Sequence, residues 1–259
     1  MEKNLATINQ TIDTFVKEAD LVTVTTQFLA DEYRKLNPNV AILPNYIDPF
    51  YADRPKRNTT DKVRLGVVGS IGVTSDFEIA YRLMERTLDN PKLQWVLWSL
   101  PKGTDNKFTK ELYYNEFKML EKIEDRIEWH GFVDQDEYYD YMNDLTLDVM
   151  VIPRADNYFN RCKSNLKFLE ASLFEIPVIA QGFPDGKSPY QVDPEDAEHM
   201  IIANNEDEFV QAIELLAGDK ELRGIMGRKA REYVINKYNI NDKGALWQQT
   251  YQNLFPQTK

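Results

Sequence analysis

The residues of this chain best suited to chemistry stand together in Asn160–Ala180, NRCKSNLKFLEASLFEIPVIA. Ser164 has the hydroxyl to cap a helix whose first turn is Asn165, Leu166 and Lys167. Leu166, Leu169 and Leu173 recur at i, i+3 and i+7 and form the buried stripe of that helix. Glu170 falls four residues after Leu166, on or beside the same stripe, and a carboxylate buried there needs a partner. Lys163 and Lys167 stand at the positive end of the helix, where free amides, the helix dipole and two ammonium groups make a site for phosphate. Six residues separate Ser164 from Glu170, about 9 Å along a helix. A ribose attached to a phosphate at the helix start could place both hydroxyls on that carboxylate. The plainer reading is an ordinary i, i+3 ion pair between Lys167 and Glu170 on a solvated face.

Other residues carry weaker signals. In Gly66-Val-Val-Gly69-Ser70-Ile-Gly72 the glycines let a ligand approach the backbone or merely turn the chain. Their spacing is not the G-x-G-x-x-G dinucleotide fingerprint. His130 and His199 are far apart in sequence and lack metal-ligand spacing. The lone Cys162 has no patterned histidine partner and excludes an internal disulfide. Tyr138-Tyr139-Asp140-Tyr141 reads as helix packing and surface. No metal site and no cofactor are expected.

The elements that must position these groups follow from periodicity. Apolar runs predict strands at Leu21–Thr25, Val40–Leu43, Arg64–Val68, Leu93–Trp98, Ile127–Trp129, Leu147–Ile152, Pro177–Ala180 and Met200–Ile202. Helical spacing predicts helices over Gln27–Leu36, Phe77–Leu88, Lys107–Ile123, Glu137–Leu145, Glu206–Leu216, Lys220–Val234 and Asp242–Leu254. This alternation predicts an α/β fold with a doubly wound, Rossmann-like parallel sheet. The polar segment DRPKRNTTD at 53–61 reads as a linker. Residues 1–52 hold too few strands for a domain of their own and read as the tail of something larger. The expected division is 1–52, linker 53–61, a sheet domain over 62–236 and a terminal helix in 237–259.

The 259 residues are 42% hydrophobic with a net charge of −11, enough for a sizeable core and opposed to general nucleic-acid binding. No run is long enough to span a bilayer, and the polar start MEKNLATINQ lacks the apolar centre of a signal peptide. A cytoplasmic, soluble chain is expected.

The stretch around Glu170 resembles the donor-site helix of family 4 glycosyltransferases (glycosyl transferases group 1), in which a Glu-x7-Glu motif precedes a Gly-x-Pro-Val-Ile strand. FLEASLFEIPVIA fits that pattern, with Glu175 where glycine is usual. RLGVVGSIGVTSDF is similar to the first strand and loop of the family's C-terminal domain, and RIEWHGFVDQDEYYDYMNDLTLDVMVIP to the segment whose Gly-aromatic turn holds the base. The resemblance implies the C-terminal, nucleotide-sugar-binding half of a GT-B fold. It places the diphosphate on the amides of Ser164, Asn165 and Leu166 and the ribose on Glu170. It places the base at Gly131, Phe132 and Val133, and puts Gly69 and Ser70 beside the donor. Two departures stand out: Cys162 occupies the position of the first glutamate, and Thr74-Ser75-Asp76 replaces the usual arginine and lysine. Phosphate charge would then rest on Lys163 and Lys167, with Arg161 or Arg154. Asp134-Gln135-Asp136 matches the Asp-x-Asp of metal-dependent glycosyltransferases, but it opens a helix rather than ending a strand.

Three functions remain open. The first is a transferase half that passes a sugar from a nucleotide-diphosphate sugar to a saccharide or other acceptor, with the leaving group stabilised by the helix start and lysines without a metal. The second is a binding module that needs a partner chain. The third is a sugar-nucleotide epimerase on the same fold. No catalytic residue is assigned. Any peripheral association with a membrane is expected through the missing half.

Overall fold

The computed structural model describes residues 2–52, 55–69, 74–100 and 105–254. Among them, β1 (Val22–Val24) and β2 (Val40–Ile42) form a small parallel pair. The main sheet contains β3 (Val63–Val68), β4 (Leu93–Trp98), β5 (Glu128–His130), β6 (Val149–Ile152), β7 (Val178–Gln181) and β8 (Ile201–Ala203). All neighbours in it are parallel, in the order β5-β4-β3-β6-β7-β8. The first strand therefore lies between the two halves, as in doubly wound folds, and the order reverses at the β3–β6 junction. Ligands of such sheets bind outside the carboxyl ends of the strands at that reversal.

Side-chain alternation divides the core. Leu65, Val67, Trp95, Leu97, Val149 and Val151 face the helices Thr74–Thr87 and Glu206–Gly218, meeting Phe77, Leu83, Phe209 and Ile213. Val68, Val96, Trp98, Met150 and Ile152 face the opposite way, onto Phe168, Leu169 and Leu173 of the helix Leu166–Leu173 and Val234 of the helix Lys220–Tyr238. Burial on both faces explains why β3 and β4 read as nearly continuous apolar runs. No helix among the described residues is long and apolar enough to cross a membrane.

Several elements depart from the expected boundaries. The helix expected over Lys107–Ile123 is broken at Tyr113 into Lys107–Leu112 and Tyr114–Leu120. The terminal helix begins earlier and is interrupted, as Ile240–Lys243 and Ala245–Gln252, because the Asn239 side chain caps the first turn. The helix from Lys220 runs four residues past Val234, since Tyr238 is itself a core residue. The polar stretch after residue 54 is docked rather than free: Asn58 Nδ2 donates to Asp148 Oδ2 at 2.5 Å, and the Lys56 amide donates to Asn143 Oδ1 at 2.7 Å.

The helix Leu166–Leu173 ends in a Schellman turn. Ile176 N–H donates to Ala171 O at 3.0 Å and Glu175 N–H to Ser172 O at 2.9 Å. Glu175 takes φ +58°, the left-handed conformation that favours glycine, and is held there by Arg57 and by Arg231 at 4.0 Å. Gly227 of the long helix packs directly on this turn, so a Cβ at 227 would lie 2.0 Å from Glu175 O. Gly227→Ala is expected to destabilise the fold by about 1–3 kcal/mol through overpacking. Glu175→Gly removes strain of about 1 kcal/mol at the loss of half-exposed ion pairs, so stability should hold or rise slightly. Urea unfolding of the two variants beside the wild type measures both, and a stable Gly227→Ala protein would contradict the close approach.

Candidate functional site

Gly69 follows β3 at the reversal point, with φ +100°. Its N–H donates to Trp98 O at 2.9 Å and its carbonyl accepts from Ser99 Oγ at 2.6 Å, which ties the ends of β3 and β4 together. A Cβ at this position would lie 2.6 Å from Lys167 Cε, so glycine is required both by conformation and by the lysine that crosses over it. Ser70, and Gly72 after it, lie outside the described residues.

The helix Leu166–Leu173 starts at the same edge. Its first residue is preceded by Asn165, which makes no side-chain cap bond. Ser164 is not the cap expected from sequence; its hydroxyl instead accepts from Asn45 Nδ2 at 2.7 Å, a partner 119 residues away that no local pattern announces. Among the described residues no backbone carbonyl accepts from the amides of Leu166 or Lys167, so both remain as donors at the positive end of the helix.

Glu170 is 6% exposed, which removes the reading of a solvated pair. The i, i+3 contact with Lys167 is nevertheless present, at 2.7 Å, and it is buried. Glu170 Oε2 also accepts from the Tyr138 hydroxyl at 2.9 Å, and Lys167 Nζ lies 2.7 Å from that hydroxyl and 5.1 Å from the ring centroid. Burial and the adjacent carboxylate push the Tyr138 phenol well above its ordinary range, so it stays a donor. Both contacts use Oε2. Oε1 accepts from no described residue.

Beside this triad lies a second cluster. Asp76, 1% exposed, opens the helix Thr74–Thr87 and accepts from Arg154 Nη1 at 2.8 Å, the Ala155 amide at 2.8 Å and Asn160 Nδ2 at 2.7 Å. Arg154 Nε is buried without a partner. Lys163 Nζ lies 4.0 Å from Asp76 and 4.6 Å from the Phe159 ring centroid. Burial, then the Arg154 charge, lower the Lys163 ammonium to about 8. Arg154, after β6, is thus held by the Asp76 carboxylate.

The structure brings together Gly69, Lys163, Ser164, Asn165, Leu166, Lys167 and Glu170 at the strand ends. Arg161 is engaged elsewhere: it pairs with Asp156 at 2.7 Å and Asp185 at 2.7 Å and lies over the Phe183 ring. In the unliganded structure two carboxylates already pair with its guanidinium. Gly131, Phe132 and Val133 form the turn after β5, on the same edge, with Phe132 exposed and Val133 packed toward the core. His130 before that turn contacts Tyr141 OH at 2.6 Å and Glu128 at 2.7 Å, a structural role. Asp134 and Asp136 lie exposed around a 3-10 turn. Among the described residues no group of three His, Cys, Asp or Glu side chains could hold a metal ion. Sequence reasoning missed Tyr138 and Asp76. Tyr138 had a signal, since an aromatic at the start of a helix that packs on Trp98 of β4 is drawn inward.

A doubly wound sheet whose reversal point meets the open start of a helix is an architecture at which α/β folds bind anionic ligands. Residues 62–219, more than half of the chain, match the family Glycosyl transferases group 1. The chain belongs to this family. No curated protein matches it by sequence. Among solved structures, the C-terminal domain of a glycosyl transferase group 1 protein from Francisella tularensis is 19% identical with a TM-score of 0.50, covering 75% of this chain and 99% of that one. A TarM variant from S. aureus, in complex with fondaparinux, alpha-GlcNAc-glycerol and UDP, is 15% identical with a TM-score of 0.64, over 96% of this chain and 46% of that one. A UDP-forming trehalose-phosphate synthase from Burkholderia xenovorans, in complex with glucose-6-phosphate, is 13% identical with a TM-score of 0.65, over 95% and 62%. These are likenesses of fold, and the fold is that of the C-terminal half of a GT-B glycosyltransferase. The chain spans about half the length of the TarM chains it matches.

Removing the Asp76 carboxylate should leave Arg154 buried and unpaired. Asp76→Ala is expected to lose about 3 kcal/mol or more in chemical denaturation. A loss below about 1 kcal/mol would mean that Arg154 is not held by this pair.

Proposed function

We propose that this chain is the donor-binding half of a glycosyltransferase that passes a sugar from a nucleotide-diphosphate sugar to a saccharide or other acceptor. The observation that carries this reading is the buried Glu170–Lys167–Tyr138 triad beside the free start of its helix, at the reversal point of the sheet. The diphosphate sits on the amides of Ser164, Asn165 and Leu166, with Lys163, Lys167 and Arg154 supplying charge. Glu170 Oε1 takes the ribose hydroxyls, the turn at Gly131, Phe132 and Val133 takes the base, and Gly69 lets the donor approach the backbone. As the sugar leaves, these fixed dipoles and cations stabilise the charge that develops on the diphosphate. Residues 62–236 form the donor domain in this reading, with 1–52 belonging to the acceptor half and 237–259 returning toward it. The setting is polysaccharide biosynthesis in the cytoplasm.

A second reading is a binding module inactive without a partner chain. Cys162, where the resemblance has a glutamate, favours it; burial raises the Cys162 thiol, so it does not replace that carboxylate. Sugar transfer assays of the purified chain, alone and mixed with a full-length family member's N-terminal half, separate the two. Robust transfer by the chain alone excludes the module, and negligible transfer alone is expected under both.

Calorimetric titration with uridine, guanosine and adenosine diphosphates tests the site itself. Glu170→Gln keeps the shape but weakens the acceptor, and affinity for the best nucleotide should fall about tenfold or more, from 1.5–3 kcal/mol for bonds to a charged group. Unchanged affinity in a folded variant removes Glu170 from the site. The pH dependence has a definite sign. The ammonium of Lys163 is the form that attracts phosphate, and burial lowers its pKa in the unliganded protein to about 8. Nucleotide affinity should therefore decline as pH rises from 7 to 9, by at most tenfold per pH unit. In Lys163→Arg, whose guanidinium stays charged, that decline should vanish.

A further inference from the structure

A third buried carboxylate stands apart from both clusters. Asp196, 1% exposed, belongs to the short helix Pro194–Ala197 between β7 and β8. It accepts from Asn165 Nδ2 at 2.5 Å, from the Tyr233 hydroxyl at 2.6 Å and from the Tyr238 hydroxyl at 2.9 and 3.0 Å, with Lys237 Nζ 3.7 Å away. Asn165 is the residue from which the helix Leu166–Leu173 starts. Tyr238 closes the helix Lys220–Tyr238, and its carbonyl accepts from Ile47 N–H at 2.9 Å. Ile240 N–H donates back to Ile47 O at 2.9 Å, so two distant chain segments pair as a parallel bridge. One is the path from the small β1–β2 sheet into the main body; the other precedes the terminal helices. Asn45, two residues before Ile47, holds Ser164.

We propose that Asp196 is a positioning residue that couples the start of the helix Leu166–Leu173 to this paired crossing. An anion seated on the helix start and the placement of residues 1–43 against the main sheet then influence each other. One carboxylate in a dry environment is shared by the helix-start residue and by the crossing, so a shift of either changes the bonds available to the other. The influence is reciprocal, as any coupling free energy must be. The anion arm of this inference rests on the donor-site reading; the link between the two segments does not.

Hydrogen exchange of the full chain, followed by mass spectrometry with and without UDP as the diphosphate probe, tests both arms. In the wild type, UDP should slow exchange at least threefold at 165–168 and also at 45–48 and 239–241. In Asp196→Asn the new amide faces Asn165 with a second donor and the link is cut. UDP should then protect 165–168 alone. Tyr238→Phe removes one hydroxyl without a charge change and should act in the same direction while the main strands keep their protection. Crossing protection that survives in both variants, or that is absent in a wild type protected at 165–168, overturns the coupling. Should UDP protect neither place in the wild type, GDP and ADP replace it as probes, and if none protects, the donor-site reading falls together with the anion arm. The unliganded comparison then decides the link: Tyr238→Phe must speed exchange at 165–168, and equal rates there overturn it.

Discussion

A carboxylate withdrawn from water persists only where donors replace its lost hydration. Three such groups, Asp76, Glu170 and Asp196, gather around the carboxyl edge of the main sheet, and each draws a different piece of chain to itself. Asp76 binds the loop after β6 through Arg154, Ala155 and Asn160. Glu170 draws in Lys167 and, from the helix after β5, Tyr138. Asp196 gathers Asn165 and the end of the long C-terminal helix. The loops that line the reversal point are thus ordered by desolvated charge, while the apolar faces below supply the bulk of stability.

That arrangement leaves specific atoms unspent. The helix-start amides, Glu170 Oε1 and Arg154 Nε are polar groups at one edge with no described protein partner. At the far end of the same helix the Schellman turn satisfies the last carbonyls. The helix is therefore closed at one end and open at the other.

Much of this was legible in the sequence. The strands of the main sheet follow from apolar runs; of the expected Leu166–Leu169–Leu173 stripe, Leu169 and Leu173 are buried, as is Glu170, while Leu166 is only half-buried. Glu175 stands where glycine is usual in the resemblance, and the structure supplies the reason: a left-handed turn on which the helix at Gly227 packs. The contacts that the sequence did not announce share one cause. Ser164 is taken by Asn45, Arg161 by Asp156 and Asp185, and Asp76 by Arg154, and of these partners only Asp156 is near in sequence. Local patterns describe what a side chain can bond, whereas the partner it finds depends on topology. Helix breaks at Tyr113 and Gly244 escaped for a related reason, since the apolar periodicity continues through them while the backbone does not.

The charge balance fits a binding site better than a binding surface. With a net charge of −11, the chain as a whole repels a polyanion, yet Arg154, Lys163 and Lys167 converge at one edge. At physiological salt the Debye length is about 8 Å, so the dispersed acidic residues are largely screened from that edge. The converging cations are partly buried and feel little of this screening. Arg154 and Lys167 already have carboxylate partners, so the site does not present three bare cations to solvent. Cations converging at one edge in this way suit a small, doubly charged group more than a long polyanion, which gains from an extended track of positive charge.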